Sequence, residues 1–390
     1  MCWRSSAALD SECNLGLRGT PSLMVKCSRY VALVAVLLIA TALLFLLRDT
    51  TLQGDAYEWL QTARTLHATG DTGYQYRNIL YAYILAAPLA LGLDPVAFGL
   101  VFSGLSLLIS MALLYRIALD YVSPTVAGFA SLLFVLSYPF LRYATQVFTD
   151  IPAALFATAM IFFHFRFLKT QRPLDLWLGY VTASLAVSLR YATGFFIAAF
   201  IYYLWITRRH LKWHIVGVLL ALIPYAPQLI YNLKYMAAPI AVSYTAEHPI
   251  FGIQFFFKDL GSGHEFQLPG YLRYMFLDFR GLFVLLTPVA AYGAVRAFRV
   301  LRPPLATYLV LYLACFVLLL PFYSYFSNRY AIPALLPCFI WLPIGISELL
   351  RLIERRAPAW RPWALPSARH LVEVILRTLV DHMVITHSDT

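Results

Sequence analysis

Charge is what this chain has little of. Only 13% of its 390 residues are Asp, Glu, Lys or Arg, where a soluble domain carries about a quarter. So few charges cannot coat a water-facing surface of this length, which excludes an ordinary soluble enzyme. Cysteine is sparse as well: Cys2, Cys13, Cys27, Cys315 and Cys338 form an odd set in the N-terminal tail or in apolar runs. They offer neither a disulfide framework nor zinc-ligand spacing. No internal repeat is visible, against the two related halves expected of many secondary transporters. A basic patch is missing too. The formal charge of +11 is spread in short clusters between apolar runs, so nucleic acid is not among the expected partners.

What is present is hydrophobic residue, 61% of the chain, and that makes it a polytopic membrane protein. Apolar runs of the ~17–25 residues that cross a bilayer fall near 30–47, 96–118, 124–141, 152–168, 174–190, 192–207, 213–233, 279–298, 305–322 and 330–349. The run from Ile79 to Leu93 is shorter, carries Pro88 and is flanked by tyrosines. It reads as interfacial.

That reading fixes the topology. With it, Lys26, Arg29, Arg116, Lys169, Arg172, Arg208, Arg209, Lys212, Arg296, Arg299, Arg302 and the cluster from Arg351 to Arg356 share one side, the cytoplasm by the positive-inside rule. A crossing at 79–93 would send the densest clusters outward. The expectation is an all-α bundle of about ten transmembrane helices with both tails, 1–29 and 351–390, in the cytoplasm. The membrane domain is then 30–350, with outer loops 48–95 and 234–278.

Every candidate polar site then collects on the outer face. Asp55 and Asp150 stand at the mouths of apolar spans, where ionisable groups are costly and usually functional. Arg142, Arg190, Arg329 and Tyr330 share that side. After GDAY, the positions Tyr57, Leu60, Ala63 or Arg64, and Leu66 or His67 have helical spacing, which predicts an amphipathic helix along the membrane surface. The segment 234–278 is rich in aromatics (FGIQFFFKDL, GSGHEFQLPGYLRYMF) and suits an interfacial loop that grips an amphiphile or simply caps the bundle. His264 and Glu265 within it are a weak signal for chemistry or metal binding.

At the N-terminus, MVKCSRY before a long apolar run reads as a retained signal anchor with translation starting at Met24. At the other end RHLVEVILRTLVDHM reads as a short amphipathic helix on the cytoplasmic surface.

Five segments in order carry a family resemblance: GDAYEWLQTARTL, RNILYAYILAAPLALGLDPVAFGLVFSGL, FTDIPAALFATAM, SLRYATGFF and SNRYAIPALLP. Together they resemble the GT-C superfamily of lipid-linked-sugar glycosyltransferases, most closely the branch containing protein O-mannosyltransferases and aminoarabinose transferases. The resemblance covers roughly residues 25–350. It implies inverting transfer of a sugar from a polyprenyl-phosphate donor, on the extracytoplasmic face of the plasma (inner) membrane, to a glycan, lipid or protein acceptor. It implies that Asp55 is the first-loop acid, acting as base or acceptor-binding group, and that Asp150 is the second-loop acid, associated with acceptor, donor or metal. Arg329 and Tyr330 match the pair placed for the donor phosphate. Some relatives have an adjacent Asp-Glu pair at the first site; here Ala56 follows Asp55 and Glu58 lies one turn on.

The residue types also make chemical sense. An acceptor hydroxyl has a high pKa, so a carboxylate must take its proton as the new bond forms; Asp55 is the candidate. Negative charge grows on the departing lipid phosphate, so a guanidinium aimed at it favours the transition state. Arg329 is the first candidate there, with Arg190 and Arg142 behind it and Tyr57, Glu58 and Tyr330 as further substrate contacts. The same residues also have plain structural readings: Asp55 and Asp150 as helix caps, Arg190 and Arg329 as snorkelling boundary residues, Tyr330 as an aromatic-belt residue. Asp55 and Asp150 together could hold a divalent cation, but the residues assign no ligand set. The other functional classes to weigh are a transporter or flippase of an amphiphile, a glycan ligase, and an acyltransferase.

Overall fold

The computed structural model describes residues 23–47, 54–73, 78–235, 243–245, 248–249, 257–260, 263–266, 282–319 and 328–356. Residues 1–22 and 357–390, including the expected C-terminal amphipathic helix, and most of 234–278 lie outside the described residues.

Each apolar run folds as helix. In chain order these are α1 (Leu23–Leu46), α4 (Pro95–Ala118), α5 (Pro124–Leu136) with α6 (Tyr138–Ala144), α7 (Asp150–Thr170), α8 (Pro173–Leu189), α9 (Ile197–Ile206), α10 (Leu211–Tyr235), α11 (Leu282–Val300), α12 (Pro303–Leu319) and α13 (Leu336–Arg356). Two further helices, α2 (Asp55–Thr69) and α3 (Leu80–Ala90), come from the first outer loop. Among the described residues, four segments qualify by length and composition to cross a membrane: α4, α7, α10 with its lead-in, and α13 with its lead-in. The pair α5 and α6 would make a fifth, bent by 61°; Ser137 and Pro139 mark that break. The 79–93 run forms only the 11 residues of α3, about 16 Å of helix, far short of the ~30 Å core of a bilayer.

Residues 243–266 hold two short antiparallel ribbons, β1 (Ser243–Thr245) with β2 (His248–Pro249) and β3 (Phe257–Leu260) with β4 (Gly263–Phe266). His264 and Glu265 lie in β4, opposite Asp259 and Lys258. These ribbons decorate an otherwise helical molecule.

The main core runs through α5, α7, α9, α12 and α13, with buried aromatics such as Phe134, Phe140, Tyr203, Tyr308 and Phe339. A second, smaller core lies beneath α2. Ala56, Trp59, Leu60 and Ala63 of α2 pack on Tyr81, Ala82 and Leu85 of α3 and on Val147, Phe148 and Leu189 of the bundle. The Trp59 and Tyr81 rings meet edge to face with centroids 5.7 Å apart. So α2 is amphipathic as its spacing predicts, with Leu60, Ala63 and Leu66 buried, but Tyr57, placed on the apolar stripe by the sequence, is 58% exposed and Trp59 is buried instead. Trp59 takes the inward direction because its larger apolar surface gains more from burial.

Two ion-pair sets mark the ends of the bundle. At one end Lys169 contacts Asp120 at 2.6 Å, Arg166 contacts Asp175 at 3.3 Å, and Arg296 and Arg351 both bind Glu348. At the other, Lys234 and Tyr235 bind Asp71 at 2.7 and 2.6 Å. Since α7 ends where α8 begins, and α8 ends beside the start of α7, the chain alternates between these ends. Asp55, Asp150, Arg190 and Arg329 all fall at the second.

Helices α11 and α13 meet along a close seam. A Cβ added at Gly293 would collide with the carbonyl of Trp341, and one at Gly345 with the carbonyl of Val289. Only glycine lets the backbones approach this far, an arrangement suited to membrane helices, where packing rather than water exclusion drives association.

Candidate active site

Two carboxylates and two guanidiniums gather where the second core meets the bundle. Asp55 is the first residue of α2, held there by Gly54, whose φ of +45° suits glycine and whose carbonyl accepts from Tyr57 and Glu58. The capping position therefore belongs to Gly54. The Asp55 carboxylate instead accepts a hydrogen bond from Nη2 of Arg329. Both side chains are mostly covered, with 19% and 17% exposure.

Asp150 is likewise one residue inside its helix, with Thr149 at the cap position and no side-chain cap bond there. Its side chain is 1% exposed, and Oδ1 lies 2.5 Å from Nη1 of Arg190. The approach is ionic but off the hydrogen-bond axis, since neither Asp150 oxygen has a well-aligned donor among the described residues. Nη1 of Arg190 also reaches the Thr149 hydroxyl at 3.4 Å. Arg190 ends α8 in an extended conformation before the 3₁₀ turn Tyr191–Phe196, and that break is what turns it inward.

Tyr330 joins the two pairs. The Arg190 guanidinium carbon sits 4.1 Å from its ring centroid, and that of Arg329 5.7 Å. Phe148 closes the other side of Arg329 at 5.3 Å. Cations held over ring faces are stabilised by the ring quadrupole, more so when desolvated. Burial alone would lower the Arg329 pKa, but the charges of Asp150 and Asp55 outweigh it and hold the guanidinium above its ordinary value. Arg329 is thus firmly cationic.

The sequence candidates divide accordingly. Asp55, Asp150, Arg190, Arg329 and Tyr330 are brought together. Arg142 is not: it is exposed on α6 and donates to the Tyr138 hydroxyl at 2.5 Å. Tyr57 points away from the cluster, and Glu58 is partly covered on the next turn of α2. Phe148 was missed by sequence reasoning although it directly precedes Thr149 and Asp150; an aromatic beside a span mouth gave no separate signal. Tyr143, in electrostatic reach of Asp150, Arg142, Arg329 and Arg190, was missed in the same way. Among the described residues no three His, Cys, Asp or Glu side chains converge as a metal-ligand group.

The helical bundle matches the GT-C fold of solved membrane glycosyltransferases. Residues 76–231 match the family model described as dolichyl-phosphate-mannose-protein mannosyltransferase. Among solved structures, ArnT from Cupriavidus metallidurans in the apo state superposes with a TM-score of 0.58 at 16% identity, covering 84% of this chain and 62% of ArnT. The same enzyme bound to undecaprenyl phosphate gives 0.61 at 14%, covering 87% and 63%. The archaeal oligosaccharyltransferase AglB from Archaeoglobus fulgidus, in complex with an inhibitory peptide and a dolichol-phosphate, gives 0.50 at 14%, covering 86% and 54%. The chain therefore spans under two thirds of the length of each. No match is found among curated proteins.

Proposed function

We propose that this protein transfers a sugar from a polyprenyl-phosphate donor to an acceptor hydroxyl, with inversion, on the extracytoplasmic face. The observation that carries the reading is the contact between Asp55 and Arg329: a carboxylate and a guanidinium, mostly covered, at one end of a GT-C bundle. That the solved neighbours are recorded with undecaprenyl phosphate and dolichol-phosphate supports a lipid-phosphate donor. Opposite this end the helix termini carry Arg116, Lys169, Arg172, Arg208, Arg209 and Arg299. By the positive-inside rule that basic end faces the cytoplasm and the cluster faces out.

In this mechanism Arg329 exchanges its partner. An incoming donor phosphate takes the guanidinium, and Asp55 is released to accept the proton of the acceptor hydroxyl. The bond from acceptor oxygen to the anomeric carbon forms as the bond to the phosphate oxygen breaks. The electron pair leaves on the phosphate, where Arg329 meets the growing charge. Attack opposite the leaving group inverts the anomeric centre. Asp150, closed against Arg190, fixes that arginine beneath Tyr330 and adds its field at Arg329.

The test is transfer of radiolabelled sugar from a panel of polyprenyl-phosphate sugars by membranes containing the wild-type or Asp55→Asn protein. Transfer by wild type alone supports the reading; transfer by both removes Asp55 from the base role, and transfer by neither removes the enzyme class for every donor in the panel.

A further inference from the structure

Two amides are hidden on a helix most of whose aliphatic side chains face outward. Ile215, Leu219, Ile223, Ile230 and Leu233 of α10 are exposed, whereas Gln228 and Asn232 are fully buried. An amide taken from water without partners costs several kcal/mol (about 4–8 into hydrocarbon), so its partners define why it is there. Gln228 Oε1 accepts the backbone N–H of Ile79 at 2.8 Å. Its Nε2 donates to Oδ1 of Asn232 at 2.8 Å, and the Tyr191 hydroxyl donates to the same oxygen at 3.4 Å.

The two ends of this chain of bonds are functionally placed. Ile79 stands at the N-cap of α3 and has no capping side chain of its own; it closes the connector that leads from α2, the helix that Asp55 begins. Tyr191 directly follows Arg190, the partner of Asp150. Asn78 ties the same connector to α8 by donating to the Val187 carbonyl at 2.6 Å. Farther out, Lys234 and Tyr235 of α10 clamp Asp71 just beyond α2.

We propose that Gln228 and Asn232 are positioning residues for the transfer reaction, setting the register between the Asp55 helix and the Arg190 turn. The proposal rests on the transferase reading above. The amides act on the cluster through Ile79 and Tyr191. A displacement of about 1 Å in a reacting group costs on the order of 10²-fold in rate, so the effect belongs in kcat. A purely structural role would lower stability and leave the kcat of folded protein alone.

The experiment compares full-length wild-type, Gln228→Met and Gln228→Glu proteins in turnover with the donor that the wild type uses. Methionine keeps the volume and removes both hydrogen bonds, while glutamate, kept protonated by burial, retains an oxygen for the Ile79 N–H and a hydroxyl to donate to Asn232 Oδ1. The expected result is a kcat lowered roughly 10–100-fold for Gln228→Met with donor KM within about twofold, and substantial recovery in Gln228→Glu. Hydrogen exchange of the peptide containing Ile79 should accelerate in the methionine variant and not in the glutamate one. A folded Gln228→Met protein with wild-type kcat would overturn the proposal. If that variant does not fold, Gln228→Asn, one methylene short of Ile79, decides: a tenfold or larger loss of kcat supports the proposal and an unchanged kcat sinks it. Wild-type turnover is read first. Its absence would overturn the transferase reading and this proposal together, whereas wild-type turnover with an unaffected methionine variant overturns this proposal alone.

Discussion

Arg329 donates to the carboxylate of Asp55 across 274 positions of sequence. That bond joins the last part of the bundle to the first outer loop, so the two groups proposed for proton removal and for the leaving phosphate neutralise one another in this structure.

Asp55→Asn keeps the side-chain volume and, with Gly54 at the cap position, disturbs no helix cap. The protein is expected to fold and to lose transfer by about 10²–10⁴-fold, the usual worth of general-base catalysis. Sugar transfer per mole of purified, monodisperse protein is the measurement.

Arg329→Lys preserves charge and loses the planar fork that can span two phosphate oxygens. The donor kcat/KM should fall by roughly tenfold or more, equivalent to ~1.4 kcal/mol. An unaltered rate would argue against bidentate contact with the phosphate.

Asp150→Ala leaves Arg190 covered and without its carboxylate. Breaking a buried pair in this way typically costs about 3–5 kcal/mol, while replacing both members is far milder. Thermal unfolding in detergent should show a large drop for Asp150→Ala and a clear recovery in the Asp150→Asn, Arg190→Gln double variant. Equal melting of the single and double variants would contradict the pairing.

Gly345→Ala tests the seam between α11 and α13. Alanine would favour helix by about 1 kcal/mol, but its methyl meets the backbone carbonyl of Val289, which cannot rotate aside. Overpacking of this kind costs ~1–3 kcal/mol, so destabilisation should win, and a raised melting temperature would refute the close approach.

Asp71 gives a pH dependence of definite sign. Hydrogen bonds from Lys234 and Tyr235 lower its pKa from 3.8 to about 2. A depressed carboxylate contributes stability that is fully present above its ordinary value and is lost as pH falls through the depressed one. The clamp should therefore open between about pH 4 and 2, and hydrogen exchange of the α2–α3 connector should rise in that window for the wild type. In Asp71→Asn that step should be absent.

The sequence made the bundle legible because long apolar runs leave the backbone one economical choice, the helix. The 79–93 run reads as interfacial from its length and Pro88, and it folds into the 11 residues of α3. Asp55, Asp150, Arg190 and Arg329 were singled out because charged groups are rare enough in such a chain that each one is conspicuous, and they lie together around Tyr330. Rotational detail was less accessible: the Tyr57 direction was missed because Trp59 competes for the same inward stripe. Asp55 and Asp150 proved to lie one residue past the caps, a distinction that propensity does not resolve. Gln228 and Asn232 went unnoticed because two amides in an apolar run carry no local pattern; their partners lie on other helices. The Gly293–Gly345 seam was hidden for the same reason.

One consequence of the acid–base cluster concerns charge conservation. Asp55 and Asp150 cancel Arg190 and Arg329, so the four side chains are electroneutral as a set. A phosphodiester arriving among them brings a net negative charge into a poorly hydrated space. Under the proposed reaction, each bound phosphodiester should therefore carry a cation or a proton in with it, and its affinity should depend on which counter-ion the medium supplies.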